Sequence, residues 1–292
     1  MSKQVPWNSQ SIETWSAEYA PGTFVELDGI RTHYIEKGSG PPVILIHGFF
    51  FDTYMWNRNI DALAEKFNVY ALDLWGFGYS SRQQLDFGFP LYSRQLELFM
   101  DAFDIPKASL IGQSMGGGTI IEFAVSNRSR VDRIVLADAA GMPNPLPVLG
   151  KISNLPGVGE LMYWLPGNLM RRMTLSSTFI YDKKVITDEF LENATRFQKI
   201  KGSSEVMLEI TRKGFFDKLE PRIRQLAELE LPTLIIWGQQ EKGIPLPVGR
   251  KLHAALPGSR MQIIDEAGHC PMIDRPEIFT ELVLDFLVNS TK

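Results

Sequence analysis

Residues 108–125 read ASLIGQSMGGGTIIEFAV, and the centre of that stretch, Gly112-Gln113-Ser114-Met115-Gly116, governs how the rest of the chain is read. A short aliphatic run enters the turn and a longer apolar segment leaves it, so strand, sharp turn and helix follow in order. In such a turn the serine adopts a strained backbone, and small residues flank it because a side chain there would clash. The turn lifts the Ser114 hydroxyl above the sheet and sets it at a helix N-terminus, where amides and the helix dipole favour negative charge. A glycine-rich turn that merely contains a serine would look the same in isolation, so the surroundings carry the argument.

Outward from the turn, similar apolar runs recur, most of them ending in a glycine-bearing turn. They are Val43–His47, Val69–Leu74, Ile134–Ala137, Thr233–Trp237 and Met261–Ile264, with Ala108–Gly112 among them. Continuous runs of this kind read as strands buried on both faces of a mostly parallel sheet. Between them Leu91–Phe103, Met115–Ser126, Leu246–Ala255 and Pro276–Val288 read as helices, which gives βαβ units in one α/β layer. Ahead of them Thr23–Leu27 and Thr32–Glu36 form an antiparallel hairpin around Asp28-Gly29.

One region breaks the rhythm. From Gly141 to Leu229 no strand-like run is followed by a glycine turn. The region opens with GMPNPLPVLG, and prolines at 143, 145, 147, 156 and 166 break any long helix. Val158–Leu165, Asp188–Gln198 and Ser204–Lys213 are amphipathic, so residues 141–229 read as a helical insertion into a core made of residues 1–140 and 230–292.

An unactivated serine is a poor nucleophile and needs a base. His269, in Ala267-Gly268-His269-Cys270-Pro271 just after the last strand, is the candidate, since imidazole accepts and returns a proton near neutrality. Of the other histidines, His33 lies in the hairpin, His253 in a late helix, and His47 in a separate motif with a structural role. Glu241, in the loop after TLIIW, is the expected acid that holds the imidazole. Asp138, at the end of IVLAD, is the alternative, with Asp265 and Glu266 behind it. The order Ser114, Glu241, His269 is the one expected for a nucleophile of this type. For the oxyanion of acyl transfer, the amides of Met115 and of Phe49 in His47-Gly48-Phe49-Phe50 are the expected donors. Cys270 lacks a comparable turn and reads as a small packing residue.

Composition sets the frame. The chain has 292 residues, a formal net charge of −4 and a single cysteine. A net acidic chain without a basic tract argues against nucleic acid. One cysteine permits no internal disulfide. No stretch approaches the roughly 18 apolar residues of a membrane span, and MSKQVPWNSQ has no secretion-signal run. A cytoplasmic protein acting on a small molecule is the expectation. No metal or other cofactor is required, and oligomeric state is not legible.

In register, HGFF, Asp73-Leu74-Trp75-Gly76-Phe77-Gly78-Tyr79-Ser80, GQSMGG, PTLIIWGQQEKGIP and GHCPMIDRPEIF, with Trp56, resemble the α/β-hydrolase superfamily in its esterase-like branch. The resemblance runs from about Phe24 to Phe286. It implies an α/β-hydrolase fold, an eight-stranded, mostly parallel sheet flanked by helices, with a helical cap inserted after the sixth strand. Relatives usually carry aspartate where Glu241 stands, which keeps Asp138 in view.

Serine at the nucleophile position tells against the alkyl-ester chemistry of haloalkane dehalogenases and epoxide hydrolases, which use aspartate there. A carboxylic ester hydrolase acting through an acyl-enzyme on Ser114 is the leading expectation, with a small to medium hydrophobic acyl or aryl group. Phe50, Met162, Trp164 and Met170 are the expected pocket, within an apolar set that includes Leu161, Leu169, Met173, Phe179, Phe215 and Phe216. The alternative is a carbon–carbon bond hydrolase of ring-cleavage diketo acids, with Arg171, Arg172 or Arg212 for the substrate carboxylates. A non-catalytic receptor on the same fold is a further alternative, although no member of the catalytic set is missing.

Overall fold

The computed structural model describes residues 5–144, 154–164 and 168–289, with only the backbone of residues 162–164. Eight strands form one sheet in the order β1-β2-β4-β3-β5-β6-β7-β8. They are β1 (Thr23–Leu27), β2 (Ile30–Gly38), β3 (Pro42–Ile46), β4 (Asn68–Leu72), β5 (Ala108–Gln113), β6 (Val131–Ala137), β7 (Thr233–Gly238) and β8 (Arg260–Ile264). The first hairpin is antiparallel, β2 runs antiparallel to β4, and every later pairing is parallel. All residues of β5 and β7 are buried, as expected for central strands covered on both faces, whereas edge strand β8 alternates.

Helices Phe89–Ala102, Met115–Ser126, Leu246–Ala255 and Pro276–Asn289 cover the sheet. Their ends lie within two residues of the sequence expectation. β2 is longer than expected at both ends because it pairs with two neighbours, β1 and β4.

Between β6 and β7 the described residues carry helices Val158–Trp164, Leu169–Thr174, Asp188–Thr195, Ser203–Lys213 and Glu220–Ala227, and a π-helical turn Leu175–Phe179. The helix expected over Asp188–Gln198 stops at Thr195 and continues as a 3-10 turn over Arg196–Lys199. The Thr195 hydroxyl donates to Leu191 O at 2.7 Å, the i−4 back-bond that bends a helix.

The N-terminal segment leans on this region. Gln10 bridges Ile200, and Trp15 Nε1 donates to Arg196 O at 3.1 Å. No helix among the described residues is long and apolar enough to cross a membrane.

Candidate active site

The turn between β5 and helix Met115–Ser126 holds Ser114 at φ 51° and ψ −115°, a left-handed backbone for a residue that is not glycine. Three backbone hydrogen bonds keep it there. Ser114 N donates to Ala137 O at 2.9 Å, and Ser114 O accepts from Ala140 N at 2.9 Å and Gly118 N at 3.1 Å. The glycines explain themselves by distance. A Cβ on Gly116 would sit 2.2 Å from Ile46 O, and one on Gly112 would sit 2.5 Å from Gly116 O. The Ser114 side chain does not cap its own helix, so its hydroxyl stays available for chemistry.

His269 and Glu241 meet directly. Glu241 Oε2 lies 2.8 Å from His269 Nδ1, and both side chains are buried. With Nδ1–H donating to the carboxylate, Nε2 is left as the acceptor that a serine hydroxyl needs. Glu241 Oε1 accepts from Ile244 N at 2.6 Å, so the loop fixes the longer glutamate from its far side. Gln113 Nε2, beside Ser114, donates to His269 O at 2.7 Å and ties the histidine loop to the serine turn.

The alternative acids stand otherwise. Asp138 Oδ1 accepts from Gly238 N at 3.0 Å. Burial, then the charge of Glu241, pushes its carboxyl well above the usual range. Asp265 takes Gln240 Nε2 at 2.8 Å and Glu266 takes Arg275 at 2.6 Å, both in exposed positions.

His47 is a buried bracket. Its Nδ1 lies 2.8 Å from Gly48 O, and its Nε2 accepts from Leu74 N at 3.0 Å. Burial lowers its pKa, which suits the neutral ring that this pattern requires. A Cβ on Gly48 would lie 3.1 Å from Ser114 Cβ, so the backbone leading to Phe49 runs beside Ser114. Next to it Phe50 takes φ 76° and stacks on Phe179 with centroids 5.5 Å apart and planes at 17°. Phe179 in turn lies 5.5 Å from the His269 ring, and Phe49 packs edge-on against Phe216 at 5.7 Å. The approach to the histidine is thus walled by aromatic rings.

Of the expected pocket residues, Phe50 is the one that joins this wall. The side chains of Met162 and Trp164 lie outside the described residues. Met170 is half-buried, and Leu161, Leu169 and Met173 are exposed; these three therefore do not line an enclosed pocket in this structure. Cys270 is buried, and burial pushes its thiol well up, which makes it a poor nucleophile.

Two carboxylates were not singled out from sequence. Asp73 accepts from Thr53 N at 2.7 Å, Tyr79 N at 2.8 Å and the ring of His33 at 2.7 Å, all buried. Burial alone would raise its pKa, but the charge and hydrogen bond of His33 outweigh it and hold Asp73 at about 2. Asp274 accepts from Gly268 N at 2.8 Å and from the backbone of Tyr181 and Asp182 at 2.9–3.2 Å. It joins the histidine loop to the segment after the π-helical turn. The only hint in the sequence is that both lie inside the quoted motifs, where each also takes one amide six residues away, while their other partners are remote.

Comparison with known proteins bears on the fold and the family. The family model described as alpha/beta hydrolase fold matches residues 41–276. A 2-hydroxy-6-oxononadienedioate/2-hydroxy-6-oxononatrienedioate hydrolase of Paraburkholderia xenovorans is 32% identical, over 90% of this chain and 93% of its own. A meta-cleavage product hydrolase from Pseudomonas fluorescens is 27% identical with a TM-score of 0.81, covering 92% of this chain and 98% of the other. A serine hydrolase involved in carbazole degradation is 26% identical with a TM-score of 0.74, over 91% and 97%. With an eight-stranded sheet of this order, a strained serine at the end of β5 and a histidine–carboxylate pair beyond β7 and β8, the chain belongs to the α/β-hydrolase family.

Proposed function

We propose that this hydrolase cleaves a carbon–carbon bond in a 2-hydroxy-6-oxo-dienoate, the class of compound named for its 32%-identical relative. That relative, matched along nine-tenths of both chains, is the observation that carries the reading over the ester expected from sequence. In the reaction, the 2-hydroxy-diene first takes its keto form, the proton moving from the hydroxyl to C5. Ser114 Oγ then adds to the C6 carbonyl and its proton passes to His269 Nε2, while Glu241 steadies the imidazolium. The amides of Phe49 and Met115 hold the oxyanion. Collapse breaks the C5–C6 bond, and the electron pair leaves onto C5, delocalised to the 2-oxo acid. His269 returns the proton to the departing dienol, and water releases the acyl group from Ser114.

The substrate carboxylate calls for a cation. Arg172 is held by Asp188 at 2.5 Å and Arg212 by Glu160 at 2.9 Å. Arg171 is buried, lies 3.8 Å over the Trp7 ring and donates through Nε to Gln198 Oε1 at 3.3 Å. Gln198 Nε2 reaches Phe50 O at 3.4 Å. This chain of contacts makes Arg171 our choice for the carboxylate. Residues 141–229 would then act as a cap that supplies both the cation and Phe179.

Ester hydrolysis is the second reading, since Phe49, Phe50, Phe179 and Phe216 suit an apolar acyl group. Loss of the dienoate chromophore, followed beside release of p-nitrophenol from short and medium esters, separates the two. We expect kcat/KM for the dienoate to exceed that for every ester by ~10²-fold or more. Turnover of esters alone would overturn the carbon–carbon reading.

A further inference from the structure

Two carboxyl groups stand beside the His269 ring where the reaction needs one. One oxygen of Asp138, one of Glu241 and one ring nitrogen of His269 lie within 4.8 Å of one another, and all three side chains are buried. Glu241 spends both oxygens, on His269 Nδ1 and on Ile244 N. Asp138 spends only Oδ1, on Gly238 N, and its Oδ2 is buried with no hydrogen-bond partner. Its backbone sits at φ 42°, a left-handed conformation that costs a non-glycine residue roughly 1 kcal/mol or more. A strained, half-unsatisfied acid in the interior is an expensive choice where a small apolar residue would fit, and such choices concentrate at working sites.

Charge decides what Asp138 does. Two carboxylates this close in a desolvated pocket cannot both be ionised. Glu241 Oε2 faces the imidazole and its Oε1 accepts a backbone amide, the two contacts that suit a carboxylate. Burial, then the charge of Glu241, pushes the Asp138 carboxyl well above its usual range. The pair therefore presents one negative charge to His269, which matches the one positive charge that the ring acquires when Ser114 gives up its proton.

We propose that Asp138 is a positioning residue that holds the spare proton of a carboxyl pair and supplies the missing negative charge when Glu241 is neutralised. The inference rests on the reading of Ser114, His269 and Glu241 as the catalytic set. In Glu241→Gln the charge that kept Asp138 protonated is gone. Asp138 then ionises more readily and stabilises the imidazolium through a low-dielectric interior.

The test is a double-mutant cycle read as the rate at which a fluorophosphonate labels the enzyme, a readout that does not depend on the natural substrate. Wild type, Asp138→Asn, Glu241→Gln and the double variant are compared at one pH, with folding checked by thermal melting. Asp138→Ser replaces Asp138→Asn if the latter does not fold. The factor that Asp138→Asn costs in the wild-type background sets the reference for the cycle, and it should be smaller than the factor the same substitution costs beside Glu241→Gln. Glu241→Gln should fall ~10²-fold, and the double variant at least tenfold further, toward the ~10⁴-fold loss of a set with no useful acid. A purely structural Asp138 would lose the same factor in both backgrounds, and that additive result overturns the proposal alone. A wild type that does not label at all overturns the Ser114 reading and this proposal with it.

Discussion

Glu241 is one methylene longer than the aspartate usual at its place, yet its Oε2 reaches His269 Nδ1 at 2.8 Å because Ile244 N holds the other oxygen at 2.6 Å. At the residue scale the sequence exposed those groups that follow a strand and a turn. Ser114, Glu241 and His269 all do, and the structure puts Ser114 on a strained turn and Glu241 against His269. Asp73 and Asp274 were not legible as partners, because what they hold lies far along the chain or in a loop whose path the sequence does not reveal. Asp73 carries a prediction of its own. Its folded pKa of about 2 lies below the ordinary 3.8, so its stabilisation is complete above pH 4 and is lost as pH falls from about 4 to 2. The shift corresponds to about 2 kcal/mol. Asp73→Asn should therefore lower stability by at least that amount at pH 7 and flatten the acid limb of a Tm-against-pH curve. An unchanged acid limb would assign the acid sensitivity to other carboxyls.

At the scale of elements, the serine turn exists because three pieces of backbone crowd one another. Gly116 packs against the end of β3, where any Cβ would meet Ile46 O at 2.2 Å. Gly116→Ala should destabilise the protein by about 3 kcal/mol or more through overpacking, a fall in Tm of roughly 6–12 °C at this size. It should also abolish activity, because Ser114 cannot keep φ 51° if the turn opens. A melt within 1–2 °C of wild type would contradict the crowding. Most strand and helix cores were legible from apolar runs, since burial on both faces leaves a continuous signature. The bend at Thr195 was not, because it depends on a hydroxyl choosing a carbonyl one turn back. Nor was the π-helical turn Leu175–Phe179, which brings Phe179 to 5.5 Å from His269 by a local surplus of backbone that no periodicity records.

For the whole molecule, fold and family followed from motifs in order, while the substrate did not. On the proposed reading esters and diketo acids would use the same Ser114, His269 and Glu241, so discrimination would fall to the groups that meet the rest of the substrate. Sequence offered three arginines for the carboxylate, and only their partners separate them. Arg172 pairs with Asp188 and Arg212 with Glu160, while Arg171 reaches Phe50 O through Gln198. Arg171→Gln should raise KM for a dienoate roughly tenfold or more while leaving KM for a neutral p-nitrophenyl ester within ~2-fold, as expected for loss of a charge-assisted bond. Equal increases for both substrates would mean a packing role.

The central claim is that Ser114 is an activated nucleophile, and its most direct test is the site of covalent capture. Wild type treated with a fluorophosphonate, digested and analysed by mass spectrometry should carry a single phosphonate on the peptide containing Ser114, with none in Ser114→Ala and slow labelling in His269→Ala. A wild type that turns over substrate but stays unlabelled, or a Ser114→Ala protein that labels at the wild-type rate, would contradict it.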